Sequence, residues 1–401
     1  VNLLVATEQR FRRSEGRVVT AGPLDYCFWK RYLGVFDEIG VLARVERDPV
    51  PGDALQDVAG AGVCVYEVPA YAGPSGYLRS LPSVLGAVRE AARRPSAVIV
   101  RAPSPLGALL LGHLRRSGRR AFGLEVVGDP VGVFAPGGIH HPLRALFRRW
   151  FAAQLRRQCR QAAAIAYVTR GSLQRRYPPR RTPPPQFVTS CSSADLSAST
   201  LVSRARDPEA FRPPFRLVTV ASLEQPYKGV DVLIHAIGVC RRRGLKVSLT
   251  VVGEGRERPA LEGLVRSLSL AEHVSFTGSV PPEAVLAHLD ASHLFVLASR
   301  TEGLPQAMIE AMARALPCVG TDVGGIPELL DAVHLVPTGN ASALAERLAG
   351  ALSAPQTLAA MSARNLEVAR EYTSNVQAPR RTAFHEAVLS ATLDERRSLR
   401  G

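Results

Sequence analysis

Apolar and polar positions in this chain come in repeating blocks, a short apolar run followed by a stretch with helical spacing. Leu3 to Ala6 is the first apolar run and reads as a buried strand. Glu8 to Gly22 is polar, with Arg and Gly, and reads as a loop. Phe28 to Ile39 has helical spacing, and Val41 to Val45 then alternates as a strand. Further strands are expected at Val63–Val68, Ala97–Val100, Phe122–Val127 and Ala164–Val168. Gly107–Arg116 and Pro142–Arg160 have the period of helices. The proline run at 178–185 is extended, because a residue before proline avoids the helical region. It leads to a last strand around Phe187–Thr189. Strands alternating with helices predict a parallel sheet covered by helices on both faces.

Cys191 to Pro214 is rich in Ser, Ala, Arg and Pro and has no sustained period, so it reads as a connection between domains. From Phe215 the alternation restarts, with helices at 230–243, 257–269, 282–290 and 305–315. Strands at 247–252, 273–277, 293–297 and 317–320 lie between and after them. Helices at about 341–353, 356–371 and 374–392 follow. The expected division is 1–195, 196–372 and a terminal helix within 373–401.

One segment carries chemistry on its face: Glu302-Gly303-Leu304-Pro305, then Gln306 to Ala313 with Glu310 inside. Gly303 permits a close turn, and Pro305 suits a first helical position. Ala307, Met308, Ile309, Ala311, Met312 and Ala313 make the helix apolar on nearly every side, so it is expected to be buried. A buried helix opening into a cleft presents free N–H groups and a positive dipole end, which suits phosphate. The two carboxylates accept hydrogen bonds from sugar or ribose hydroxyls. Glu310 in an apolar run is unusual, because ionised carboxylates are rarely buried unpaired.

Glu302, seven residues, then Glu310 resembles the donor-site signature of retaining GT-B glycosyltransferases of family 4. The resemblance extends to Arg216–Gly229, Leu249–Gly255, Val274–Val280 and Gly320–Glu328, and is specific from about Arg216 to about Gly350. It implies an α/β protein of two Rossmann-like domains whose parallel sheets face a central cleft. The closing helix would cross back to the N-terminal domain. Lys228, after the first strand of the second domain, would reach the donor diphosphate as a point charge. Family members often carry an arginine where Ser222 stands, so Arg300 is the expected substitute. Gly253 and Gly278 lie at strand ends, where open sheets bind ligands. Val280 would lie near the nucleotide base, and Gly303, Leu304 and Pro305 beside the diphosphate. In the first domain, Asp129 is the candidate for holding or deprotonating the acceptor hydroxyl, and Gly16 for close approach to the donor phosphate. His113, His140 and His141 carry no assigned role, the last two being placed to line an acceptor cleft.

The 401 residues carry a net charge of +15, with only Lys30, Lys228 and Lys246 among 50 basic residues. Arginine dominance with many Ala, Gly and Pro fits a GC-rich bacterial genome. The positive balance fits an anionic donor or a membrane surface. No nucleic-acid-binding motif and no G-x-x-x-x-G-K-[ST] occurs. No D-x-D occurs either, so no metal and no cofactor is expected. The six cysteines form no zinc or disulfide pattern, and no apolar run of roughly 18 or a leader pattern is present, which points to the cytoplasm. Leu143, Leu146, Phe147, Trp150, Phe151, Gln154 and Leu155 form a stripe flanked by five arginines. A core-facing helix is the expected reading, and a peripheral contact of 142–160 with an anionic membrane the alternative.

The expected function is metal-independent transfer, with retention, from a nucleotide diphosphate sugar, most readily a UDP-sugar, to a hydroxyl of a glycan, lipid-linked or specialised-metabolite acceptor. The alternative enzyme of the same architecture is a UDP-N-acetylglucosamine 2-epimerase. A non-catalytic arginine-rich binding protein is the third reading, and it predicts no nucleotide-sugar affinity.

Overall fold

A computed structural model describes residues 1–20, 22–46, 55–71, 73–94, 97–134, 143–181, 183 and 186–399. His140, His141 and Pro142 lie outside the described residues. The N-terminal sheet is built from β1 (Leu3–Ser14), β2 (Arg17–Thr20), β3 (Ile39–Glu46), β4 (Gln56–Asp57), β5 (Val63–Pro69), β6 (Ala97–Ala102), β7 (Gly123–Val126), β8 (Ala164–Tyr167) and β9 (Phe187–Ser190). Its parallel core runs β5-β3-β1-β6-β7-β8-β9. The helices of this half are α1 (Tyr26–Lys30), α2 (Gly73–Ala91), α3 (Pro105–Arg116), α4 (Pro130–Val133), α5 (Arg144–Gln161) and α6 (Ser172–Arg176).

Three expectations change here. Glu8–Gly22 is not a loop: β1 continues to Ser14 and turns through Glu15-Gly16 into β2, which pairs with it antiparallel. The arginines of this extension find acids on the neighbouring strands. Arg10 and Arg12 face Glu46, and Arg13 pairs with Glu67, while Phe11 is buried. The expected helix 28–39 is only α1, capped by Asp25 accepting from Phe28 N at 2.8 Å, and turns carry the chain on to β3. Helix α2 has no counterpart among the expected elements, because Pro82 and three glycines obscure its period.

The C-terminal sheet holds β10 (Phe215–Val220), β11 (Val247–Val252), β12 (Val274–Gly278), β13 (Leu294–Leu297), β14 (Cys318–Thr321) and β15 (Leu335–Val336), all parallel, in the order β12-β11-β10-β13-β14-β15. The order reverses between β10 and β13, which opens a crevice at their C-terminal ends. The helices here are α7 (Val230–Arg242), α8 (Arg258–Ser267), α9 (Pro282–Asp290), α10 (Gln306–Ala313), α11 (Ile326–Leu329), α12 (Ala341–Leu352), α13 (Pro355–Arg370) and α14 (Ser374–Ser398). Met308, Ile309, Ala311, Met312 and Ala313 of α10 are fully buried, as the pattern requires. Each buried Met or Ile stabilises by about 1.5–3 kcal/mol, so α10 is fixed by packing rather than by its short length.

Helix α14 crosses back. Phe384 and Val388 enter the N-terminal core beside Ile99 and Ala164. Gly123 of β7 lets it lie close, since a Cβ there would collide with the Val388 side chain. The connection is stitched to the start of α14, with Leu196 N donating to Tyr372 O at 3.2 Å and Ser374 N to Leu196 O at 3.1 Å.

Candidate active site

The reversal of strand order brings together the loop after β10 and the loop after β13. Gly229 has φ +65°, and a Cβ there would collide with Ala298 O, so the two loops touch through their backbones. Lys228 Nζ donates to Glu302 Oε1 at 2.7 Å, and Ser299 Oγ donates to the same oxygen at 2.7 Å. Thr321 of β14 holds Ser299 in place through a 2.6 Å hydrogen bond to its carbonyl oxygen. Burial alone would lower the Lys228 pKa, but the Glu302 charge outweighs it and the ammonium form is favoured.

Arg300 is not free for phosphate. Its guanidinium forms a bidentate pair with Asp231 of α7 at 2.6 and 2.9 Å and donates to Pro226 O at 2.6 Å. Its main-chain N donates to Tyr227 O at 2.7 Å. Arg300 therefore fixes the loop that presents Lys228, and the expectation that it replaces an arginine at Ser222 is corrected. Ser222 is exposed, and its Oγ accepts from Glu224 N at 3.4 Å.

Glu310, on α10, is half-buried, and its carboxylate has no hydrogen-bond or ion-pair partner among the described residues. Burial alone pushes its pKa from 4.5 to about 7. Pro305 caps α10 with extended backbone rather than occupying its first turn. Gly253 N donates to Gly278 O at 3.0 Å, and a Cβ on Gly253 would collide with Ala221 O. The close approach holds the three strand ends at the rim, where Val280 packs against the same cluster as Leu304 and Ala307.

The N-terminal domain closes the floor. A Cβ on Gly303 would collide with Val127 O, and one on Gly132 with the Thr301 hydroxyl. Leu304 packs against both domain cores. Glu328 of α11 accepts from Arg170 N at 2.5 Å, Gly171 N at 3.1 Å and Ser172 N at 2.6 Å, so a carboxylate of one domain binds the start of α6 in the other.

Asp129 is buried and engaged: it accepts from Val131 N at 2.9 Å, from Tyr177 Oη at 2.5 Å and from Arg176. Its oxygens cap α4 and tie it to the segment around α6, which corrects its expected role as acceptor base. Gly16 sits in the exposed turn of the β1–β2 hairpin with φ +79°, so its glycine character serves that turn rather than a phosphate. At the matching point of the first domain stands Glu8, accepting from Leu106 N at 2.8 Å and Ser104 Oγ at 3.0 Å at the start of α3. His113 lies in the last turn of α3. Helix α5 faces both ways: Leu155 and Cys159 are buried, whereas Leu146 and Trp150 are 60% and 54% exposed.

The arrangement gathers the loops after β10 and β13 and the start of α10 where strand order reverses, against the N-terminal domain. Residues 214–354 match the family model described as Glycosyl transferases group 1. That span, from β10 through α12, is similar to a glycosyltransferase domain. Over 146 residues the chain is 34% identical to the amylovoran biosynthesis glycosyltransferase AmsK of Erwinia amylovora, covering 34% of this chain and 36% of that protein. Over 247 residues it is 29% identical to the alpha-D-kanosaminyltransferase of Streptomyces kanamyceticus, covering 56% and 62%. The matched part is less than two thirds of either relative. Among solved structures, sucrose-phosphate synthase from Thermosynechococcus elongatus superposes with a TM-score of 0.74 at 17% identity, covering 97% of this chain and 99% of that one. HepE of Anabaena in complex with UDP and glucose gives 0.64 at 17% identity, covering 95% and 98%. The whole chain has the GT-B fold.

Ser299, Thr301, Asp231, Gly132, Glu328 and Glu8 were not expected at the site. Asp231 stood three residues after Lys228 at a helix start, a visible signal. Ser299 acts three residues from Glu302, and the rest act across long sequence separations.

Proposed function

We propose that this protein is a retaining, metal-independent glycosyltransferase using a nucleotide diphosphate sugar, UDP-linked in the first instance, and a hydroxyl of a glycan, lipid-linked or specialised-metabolite acceptor. The observation that carries the reading is the unpaired carboxylate of Glu310 on α10, a helix that follows directly on the loop holding the Lys228–Glu302 pair, where strand order reverses. Glu310 takes the two ribose hydroxyls, replacing the water it has lost. Lys228 and the N–H groups after Gly303 meet the diphosphate charge that grows as the bond to the sugar breaks. Glu302 and Ser299 hold Lys228 before the donor arrives, and Glu302 then positions sugar hydroxyls.

The bond from the anomeric carbon to the phosphate oxygen breaks with its electron pair on that oxygen. The acceptor oxygen bonds the same face of the carbon, and its proton passes to the departing phosphate oxygen. No enzyme nucleophile or base is needed, which agrees with Asp129 being committed to Tyr177 and Arg176. The HepE complex with UDP and glucose supports a UDP-sugar as the first donor to try. The exposed Leu146 and Trp150 among the arginines of α5 support a peripheral place on an anionic, cytoplasmic membrane face.

Melting the protein against UDP-, GDP- and dTDP-sugars tests the donor, because binding to the folded state raises apparent stability. Nucleotide release that requires an added acceptor supports transfer. Release, or an epimerised sugar, without acceptor supports the epimerase instead, and no shift with any nucleotide sugar sinks both.

A further inference from the structure

A second set of charges is buried in the N-terminal half, away from the Lys228–Glu302 pair. Arg101 near the end of β6, Arg31 just after α1 and Arg381 on α14 converge there. Arg101 donates to Glu125, and to Ser193 Oγ at 3.3 Å. Arg31 and Arg381 share one oxygen, Asp195 Oδ2, at 3.5 and 3.1 Å. Three guanidiniums thus face two carboxylates, a surplus of one positive charge. His385, stacked on Tyr32 at 4.5 Å, adds none at neutral pH, because burial and then the nearby arginines hold its pKa down to about 4.

The donors are also in surplus. Arg31 Nε and Arg381 Nη2 are buried with no acceptor among the described residues. Leaving such a donor unmet destabilises the fold, and an unpaired buried charge costs more. Burial first, and then the charge of Arg381, lowers the Arg31 pKa to about 10. These groups line one cavity of about 20 Å³ with Ser192 and Ser193. That is room for one particle of about water's size. Water would satisfy the donors but leave the charge, whereas a small monovalent anion meets both.

We propose that this cavity binds one monovalent inorganic anion of about water's size, such as chloride, and that the anion secures α14 to the N-terminal domain. The test is thermal melting of the full chain in chloride, bromide, sulfate and gluconate at equal ionic strength. Chloride and bromide should raise the apparent melting temperature by about 2 °C or more over gluconate and saturate, and sulfate should not. Ser193→Asp supplies a fixed negative charge and should melt alike in chloride and gluconate. Arg381→Gln removes the surplus charge and should lose the dependence. Crystals grown in bromide should show its anomalous signal between Arg31 and Arg381. Equal melting of the parent chain in chloride and gluconate, an equal response to sulfate, or bromide absent from the cavity would each overturn the proposal.

Discussion

Replacing Glu310 with Gln removes a charge from α10 while keeping the side chain's shape. In the folded chain burial moves this carboxyl from 4.5 to about 7. At ~1.4 kcal/mol per tenfold change in proton affinity, the ionised form costs about 3 kcal/mol. The folded state holds the proton more tightly than the unfolded one, so the cost is absent below about pH 4.5, grows as pH rises, and is complete above about pH 7. Glu310→Gln should therefore be more stable than the parent at about pH 8, by about 1–3 kcal/mol, with the difference gone near pH 4.5. Nucleotide binding should run the other way. Ribose hydroxyls favour the charged carboxylate, so UDP should bind more tightly as pH rises through about 7 and release a proton. Glu310→Ala should weaken UDP by about 1–3 kcal/mol, the range for a hydrogen bond to a charged group. Urea denaturation of the free protein and calorimetry of UDP binding in two buffers of different ionisation heat measure both effects. A Gln variant less stable than the parent at alkaline pH, or an Ala variant with unchanged UDP affinity, would refute the reasoning.

Lys228→Ala should lower kcat by about 10²–10³ with a modest change in donor KM, and Ser222→Arg should partly restore it. A rise in KM alone would make Lys228 a ground-state anchor. Asp129→Asn should destabilise the fold by about 1–2 kcal/mol and leave the pH profile of kcat unchanged, as loss of a cap and not of a base. Disappearance of an ionisation from that profile, with the fold intact, would reinstate it as the base. Excess EDTA should leave turnover intact, and a tenfold or greater loss (roughly 1.4 kcal/mol) restored by Mg²⁺ would contradict the diphosphate site. Leu146→Glu with Trp150→Glu should abolish co-sedimentation with anionic vesicles while sparing transfer to a water-soluble acceptor. Unchanged sedimentation counts against the membrane contact.

The C-terminal sheet was legible because β13 is a fully buried apolar run, while β11 alternates, with Val247, Leu249 and Val251 buried and Ser248 and Thr250 half-buried between them. Glu302 and Glu310 stood out by their neighbours, one beside a glycine turn and one inside an apolar helix. The β1–β2 hairpin was not legible. Its arginines look like loop composition until Glu46 and Glu67 are set beside them, and those partners belong to other strands. Asp129 read as a candidate base because its partners Arg176 and Tyr177 lie some distance along the chain, and nothing local shows that its oxygens are already taken. Arg300 misled in the same way, although Asp231 sits where a first-turn acid belongs.

The seam between the domains is made largely of backbone. Gly303 meets the Val127 carbonyl, Gly132 meets Thr301, and Glu328 holds three consecutive main-chain N–H groups at 170–172. At these points the joint asks for a small residue or a main-chain N–H, while Leu304 and the α14 residues Phe384 and Val388 also need apolar partners in the N-terminal half. Chimeras that graft a foreign N-terminal half onto residues 214–354 should work only when the graft is small at the position of Gly132. The graft must also lack proline at the three positions facing Glu328, since proline has no N–H to offer. N-terminal halves can thus be exchanged at this joint wherever these few positions are kept.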